Sequence, residues 1–366
     1  MSGKSKFLNV IHIFSGSAQV LDEVHMVSCW KCSVYRRSHD GNGFDRSSAW
    51  RVSSRTDRRG DTAMTRSRPN QVSVVIPLYQ KERHIGAALD SVYVSCEKAN
   101  CRYEIVVIDD GSTDRSCDAV LDWIAKAPGH AGVVTLIRQK NTGAAGARNR
   151  GWKEASFDRI LFLDADDHWL PGHAGEILAL MDAFPEATLY ADAWSEISPA
   201  GDPKQHVFGI GSERRGYVPC FFEAMCSGPM IASSSTAATR KRHLAESGGF
   251  PEGITHGEDK VGWGRLALLG PMAWSPRIGA VWDKSAENRS DTGTSVPSTA
   301  FLDFLLSARE RTDLPDAMRS NIQVAAAVEQ ARMSGQISIY DHETPNEYRE
   351  GCLISARQEG EKLRIG

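Results

Sequence analysis

A parallel α/β sheet flanked by helices is the architecture this sequence predicts from residue 70 onward. Three observations carry that expectation. Short β-branched runs alternate with amphipathic helical stripes, the pattern of strands joined by helical crossovers. The strands end in polar, acid-rich clusters, and sheets of this class bind ligands at the carboxyl ends of their strands. Composition also changes near residue 70, before which the chain is rich in Arg, Ser, Asp and Gly with no sustained period.

Each element follows in order. Residues 72–76 are a β-rich apolar run stopped by Pro77. Residues 82–95 place Ile85, Ala88, Leu89 and Val92 on one helical face. Residues 103–108 form a second buried strand, closed by Asp109-Asp110-Gly111. Ser112 and Thr113 stand where a helix is capped, with Cys117, Val120, Leu121 and Ile124 on its stripe. A third strand over 133–137 leads to a helix over 144–155, and a fourth over 160–163 ends in Asp164-Ala-Asp-Asp167. Ile177, Leu178, Met181 and Phe184 mark a further helix, and 189–191 a short strand. Stripes between 300 and 340 predict a small helical extension.

Bulk properties narrow the function classes. With 366 residues the chain has room for one large domain or two ordinary ones. A net charge of −3 provides no basic field, so no nucleic-acid partner is expected. Eight scattered cysteines read as reduced thiols, and no apolar run reaches the roughly 18–20 residues of a membrane span. The run over 7–14 is interrupted by Asn9 and His12 and makes a poor signal peptide. A cytoplasmic location is expected, with peripheral contact at the inner face of the membrane as an extension of it. Residues 1–69 read as a disordered tail or an over-extended start, with Met26 and Met64 as alternative starts. Within it, the Cys29-Trp-Lys-Cys32 pair has no second Cys/His pair nearby and reads as coincidence.

Two acid clusters carry the chemistry. Four or five carboxylates at one sheet rim repel unless a cation or hydrogen bonds offset the cost. Hard oxygen ligands suit Mg²⁺ or Mn²⁺, which in turn bridge phosphate oxygens. Asp109-Asp110-Gly111 is equally good turn chemistry, whereas Asp164-Ala-Asp-Asp167 after an apolar strand favours metal binding. No G-x-x-x-x-G-K-[ST] run occurs, and the first strand leads into Pro77-Leu-Tyr79, so neither a P-loop nor a dinucleotide fingerprint is present.

These motifs resemble family-2 glycosyltransferases. Val72-Ser-Val-Val-Ile-Pro-Leu-Tyr79, with Glu82 just beyond, is similar to their opening strand, and Val106-Val-Ile-Asp-Asp-Gly-Ser-Thr-Asp114 to their second. Asn141-Thr-Gly-Ala-Ala-Gly-Ala-Arg-Asn-Arg-Gly151 resembles their third motif, and Phe162-Leu-Asp-Ala-Asp-Asp167 their D-x-D metal site. Ser247-Gly-Gly-Phe250 and then Gly257-Glu-Asp259 resemble their late E-D motif. The five occur in the family's order between about residues 71 and 282.

The resemblance implies a GT-A fold, a Rossmann-like, mostly parallel sheet, and inversion at the anomeric carbon of a sugar. It divides the chain into the tail over 1–69, a nucleotide-sugar-binding half over 70–192, an acceptor-binding half over 193–285 and the helical extension over 286–366. Pro77, Tyr79 and Glu82 would border the nucleotide, and Asp110 would accept a hydrogen bond from a uracil base. Arg148 would sit near the nucleotide, its alternative being a surface salt bridge. Asp164 would hold the donor's ribose, Asp166 the metal, and Asp167 a second contact or a helix cap. Asp259 would be the general base. The donor would be a nucleotide-diphospho-sugar, preferably of uridine, and the acceptor a glycan or lipid-linked molecule of the cell envelope.

One departure stands out: residues 278–283 lack the histidine that the family often adds to its metal site, leaving Asp283 or water. Trp263, Trp274 and Trp282 are candidates for sugar stacking or for core. Arg240-Lys-Arg-His243 could meet an anionic acceptor or a membrane, or simply begin an exposed helix. Two other classes stay open, a glycosyltransferase-like binding protein without turnover and a nucleotidyltransferase.

Overall fold

In the computed structural model of the chain, the residues described are 70–127, 129–130, 132–206, 208, 214–226, 228–287 and 298–334. The predicted tail with Cys29 and Cys32, and the extension beyond 334, lie outside them. The described elements in chain order are β1 (Gln71–Leu78), α1 (Ile85–Ala99), β2 (Arg102–Asp109), α2 (Ser116–Lys126), β3 (Val134–Arg138), α3 (Gly143–Glu154), β4 (Arg159–Phe162), β5 (His168–Trp169) and α4 (His173–Ala183). There follow β6 (Leu189–Ile197), β7 (Pro203–Gln205), β8 (Gly216–Tyr217), α5 (Phe221–Cys226), β9 (Ala238–Arg240), α6 (Lys241–Ser247), α7 (Glu258–Leu269), β10 (Met272–Asp283), α8 (Ala300–Arg309) and α9 (Asp316–Met333).

The strands form one sheet in the order β3-β2-β1-β4-β9-β6-β10-β5, with β7 on β6 and β8 on β10. Strands β3, β2, β1 and β4 run parallel, so their carboxyl ends share one edge. Strand β9 joins the halves antiparallel to both β4 and β6, and β10 then runs parallel to β6. This is the predicted mixed α/β class.

Helices cover β1 on both faces, which is why its sequence reads apolar without alternation. Val72, Val74, Val75, Ile76 and Leu78 are all fully buried. Ser73 interrupts that run at no cost in unmet polarity. Its hydroxyl donates to Glu104 Oε1 at 2.5 Å and accepts from the Phe157 N–H at 3.0 Å. In α1 the buried face is the predicted one, Ile85, Ala88, Leu89 and Val92.

Three local expectations are corrected. Helix α2 begins at Ser116, and its first turn is satisfied by Asp114, whose carboxylate accepts from the Ser116 N–H at 3.0 Å. The Ser112 and Thr113 hydroxyls are engaged elsewhere, accepting from the Gln80 backbone N–H and side-chain amide at 3.1 and 2.9 Å. Leu121, placed on the apolar stripe, is 54% exposed, because Val120 and Trp123 define the inward face. Strand β6 also runs six residues past its predicted end at 191, since β10 pairs alongside it as far as Asp283 opposite Ile197. Among the described residues no helix is long and apolar enough to cross a membrane.

Candidate active site

The site grows from the shared carboxyl edge of β1, β2 and β4. Strand β1 delivers Pro77 to a half-buried position and ends before Tyr79, which is 45% exposed. Gln80 then takes a left-handed φ of 55°, unusual for a non-glycine residue and the kind of strain that gathers at functional loops. The turn after β2 needs glycine at 111, where φ is +79° and an added Cβ would lie 3.1 Å from the Asn141 backbone nitrogen.

That turn separates the paired acids into two structural tasks. Asp109 is fully buried and accepts from the Ser112 N–H at 3.0 Å, from the Cys117 thiol at 3.0 Å and from Arg138 at 3.0 Å. Asp110, 3% exposed, accepts from the Thr142 and Gly143 N–H groups at 2.9 and 2.8 Å and from the Gln139 amide at 2.8 Å. It therefore caps the start of α3, and a base approaching it meets a carboxylate already hydrogen-bonded on both oxygens. Glu82 is exposed and holds the loop before α2, accepting from the Arg115 N–H at 2.8 Å.

Helix α3, so fixed, carries Arg148 inward. The residue is 3% exposed, and its guanidinium donates to Asp164 Oδ1 at 2.8 Å and to Glu258 Oε1 at 2.9 Å, above the Phe250 ring. The alternative of a surface salt bridge is excluded by that burial. One side chain thus ties the acid after β4 to the first turn of α7, two segments 94 residues apart in sequence (258 − 164). Burial opposes the charge on Arg148, but Asp164, Glu258 and Asp259 outweigh it and its pKa rises.

The three acids after β4 have distinct surroundings. Asp164 has its pKa raised, by burial first and against the pull of Arg148, with Asp166 adding to the rise. Asp166 pairs with Lys81 at 2.8 Å. Asp167 is buried and is neither an open ligand nor a helix cap. It accepts from the Ser235 hydroxyl at 2.5 Å and the Asp283 N–H at 3.1 Å, and so straps the acid loop to the end of β10. Burial and then Asp166 and Asp164 push its pKa well above the usual range.

Asp259 is the second residue of helix α7, in the turn that Gly257 caps at a φ of +79°. Burial, then Glu258, pushes its carboxyl up to about 6, while Arg148 pulls it down. The C-terminal extension braces this turn from behind. Lys260 Nζ pairs with Glu329 of α9 at 3.3 Å and lies over the Phe301 ring of α8.

Among the described residues no three His, Cys, Asp or Glu side chains converge as a protein-only metal site. The donor chemistry nevertheless fits a hard divalent ion. Asp164 and Asp166 offer carboxylate oxygens close enough that Asp166 adds to the raised proton affinity of Asp164, and such ions commonly take one or two carboxylates and complete their shell with phosphate and water. In place of the absent histidine stands Asp283, whose carboxylate accepts from the Ser285 N–H at 2.9 Å. Burial opposes its charge, but the Ser285 bonds and the nearby His84 and His168 hold it below the usual range.

Of the candidate tryptophans, Trp263 and Trp274 are fully buried core. Only Trp282 is partly exposed, stacked on Trp194 at 3.8 Å between ring centroids. The basic run 240–243 is largely spent internally, Arg240 on Asp158 at 2.9 Å and Lys241 on the Lys153 and Ala155 carbonyls at the end of α3. Reading the sequence missed Lys81, Glu258 and Ser235 as partners. The available signal was charge balance, since a buried acid cluster demands nearby cations and hydroxyls.

Three comparisons bear on this geometry. Residues 73–237 match the model of Glycosyl transferase family 2. An undecaprenyl-phosphate 4-deoxy-4-formamido-L-arabinose transferase of Serratia proteamaculans is 36% identical over 104 residues, 28% of this chain and 31% of its own length. An uncharacterized glycosyltransferase of a Nostoc species is 38% identical over 101 residues, 28% of this chain and 30% of its own. The chain thus spans less than a third of the length of these curated relatives. Among solved structures, S. aureus TarS residues 1–349 in complex with UDP-GlcNAc superposes with a TM-score of 0.56 at 18% identity, covering 79% of this chain and 81% of that one.

Proposed function

From residues 73–237, a family-2 glycosyltransferase domain, we infer an inverting enzyme that moves a sugar from a nucleotide-diphospho-sugar to a glycan or lipid-linked acceptor. The observation that carries this reading is the fork of Arg148. It holds Asp164 at 2.8 Å and Glu258 at 2.9 Å, so the acids assigned to the donor and the turn assigned to the acceptor belong to one electrostatic unit.

In this reading Pro77, Tyr79 and Glu82 border the nucleotide, with Tyr79 offering its exposed ring to the base. Asp110 acts one step back, orienting the N–H groups of Thr142 and Gly143 at the start of α3. Asp164 faces the ribose, and Asp166 is the ligand for Mg²⁺ or Mn²⁺. When bound, that ion supplies neutralising charge for the departing diphosphate.

Asp259 takes the proton of the acceptor hydroxyl as that oxygen forms its bond to the anomeric carbon. The bond from that carbon to the diphosphate oxygen breaks, its electron pair leaves with the nucleotide, and the configuration inverts. A carboxyl poised near 6 remains largely ionised at neutral pH and is a better proton acceptor than an ordinary aspartate. A uridine donor follows from the resemblance of the motifs. The name of the Serratia relative supports a lipid-linked acceptor.

The test is a panel of nucleotide-sugars screened by thermal unfolding with and without Mn²⁺. A ligand at 100 times its Kd adds about 2.7 kcal/mol of stability, enough to read as a clear rise in Tm. The expected outcome is a rise for UDP-sugars only when Mn²⁺ is present, lost in Asp166→Ala. A rise in Asp166→Ala equal to the parent's would remove Asp166 from the site.

A further inference from the structure

The acid assigned to the metal already has a cation beside it. Lys81 Nζ lies 2.8 Å from Asp166 Oδ2, with 9% and 14% of the two side chains exposed, and it also donates to the Glu287 carbonyl. The base of this lysine is fixed: it follows the strained Gln80, and its N–H donates to Ser116 Oγ at 2.8 Å. Glu287 is held from its other side by Arg83 at 2.9 Å. An ammonium on a four-carbon stem can exchange partners without moving its backbone.

We propose that Lys81 is the resident counter-cation of Asp166, which the divalent ion displaces and which then pairs with the donor's diphosphate. The proposal rests on the reading of Asp164 and Asp166 as the metal–diphosphate site. Its physical content is competition followed by exchange. An ammonium at 2.8 Å occupies a lone-pair direction that a metal would need, and its charge repels an incoming cation. On leaving Asp166 the nearly buried ammonium gives up the charge that balances it, and a diphosphate oxygen supplies negative charge in its place.

Metal and nucleotide therefore enter as a coupled pair. Each alone binds weakly, and each strengthens the other by the same factor. The binding-competent form of Asp166 is a minor fraction of the metal-free protein, so the apparent metal affinity is reduced by that fraction.

The experiment measures Mn²⁺ binding to the full chain by electron paramagnetic resonance of the free ion, with and without UDP, for the parent, Lys81→Gln, Lys81→Arg and Asp166→Ala. Glutamine keeps a donor for the Glu287 carbonyl and removes the charge. Without UDP, Lys81→Gln should bind Mn²⁺ about tenfold more tightly than the parent. The enhancement by UDP should shrink by the same factor. Lys81→Arg, which keeps the charge, should stay within about twofold of the parent. Equal Mn²⁺ affinity in Lys81→Gln and the parent, with UDP enhancing both alike, overturns the role of Lys81 and leaves the metal site standing. Mn²⁺ binding in Asp166→Ala equal to the parent's, with UDP present, overturns the metal site and the proposal together.

Discussion

Asp259→Asn is expected to lower kcat by about 10²–10⁴-fold, the usual contribution of a positioned general base. Stability and nucleotide binding should survive the change. An asparagine oxygen can still accept from the Lys260 N–H, which lies 2.7 Å from the aspartate oxygen. Loss of one of two adjacent carboxylates also relieves the repulsion from Glu258 that helps raise the Asp259 pKa. Melting temperature should hold or rise while turnover collapses, a combination a purely structural acid would not produce. The pH profile gives an independent readout. Because burial pushes Asp259 up to about 6, the base is lost by protonation as pH falls through that value. Parent kcat/KM should therefore fall about tenfold per pH unit below 6 and level off above it, a limb that Asp259→Asn should lack.

Arg148→Met is expected to destabilise the protein by about 3 kcal/mol, the low end for breaking a buried ion pair by removing one partner. The low end applies because Asp164, with 32% of its side chain exposed, can recover some hydration, whereas Glu258 at 12% recovers less. Denaturant unfolding of the parent and the variant measures the difference. Activity should also suffer in a diagnostic way. Arg148 pulls the Asp259 pKa down, so its removal should move the acid limb of kcat/KM above 6. Arg148→Lys should restore part of the stability and little of the coupling, since a single ammonium cannot reproduce a fork that reaches two carboxylates at once. A variant as stable as the parent, with an unmoved acid limb, would refute the central place given to this arginine.

The parallel half of the fold was legible because burial on both faces leaves a plain signal. The runs at 72–76 and 103–108 contain little that could belong anywhere else. Past residue 191 the signal faded for a physical reason: β6 and β10 pair along their whole length with two register shifts, and no local pattern announces a partner 83 residues away (272 − 189). The motifs brought Arg148, Asp164 and Asp259 into view as separate residues, but nothing in their spacing said that the Arg148 guanidinium would join Asp164 to the turn holding Asp259. Lys81 was passed over because a lysine after Gln80 in a polar turn has solvent as its default partner. Only the fold brings it against Asp166. Asp110 was read as a contact for the base, and its two bonds to the start of α3 depend on a loop arrangement that sequence does not encode locally.

Crystals grown with Mn²⁺ and UDP, with anomalous diffraction collected at the manganese edge, test most directly whether a divalent ion joins a donor diphosphate to the acids after β4. The expected result is a manganese peak at the Asp166 carboxylate beside the diphosphate, with Lys81 withdrawn from Asp166. A manganese ion bound elsewhere, or UDP seated with Lys81 still on Asp166 and no metal between them, would contradict it.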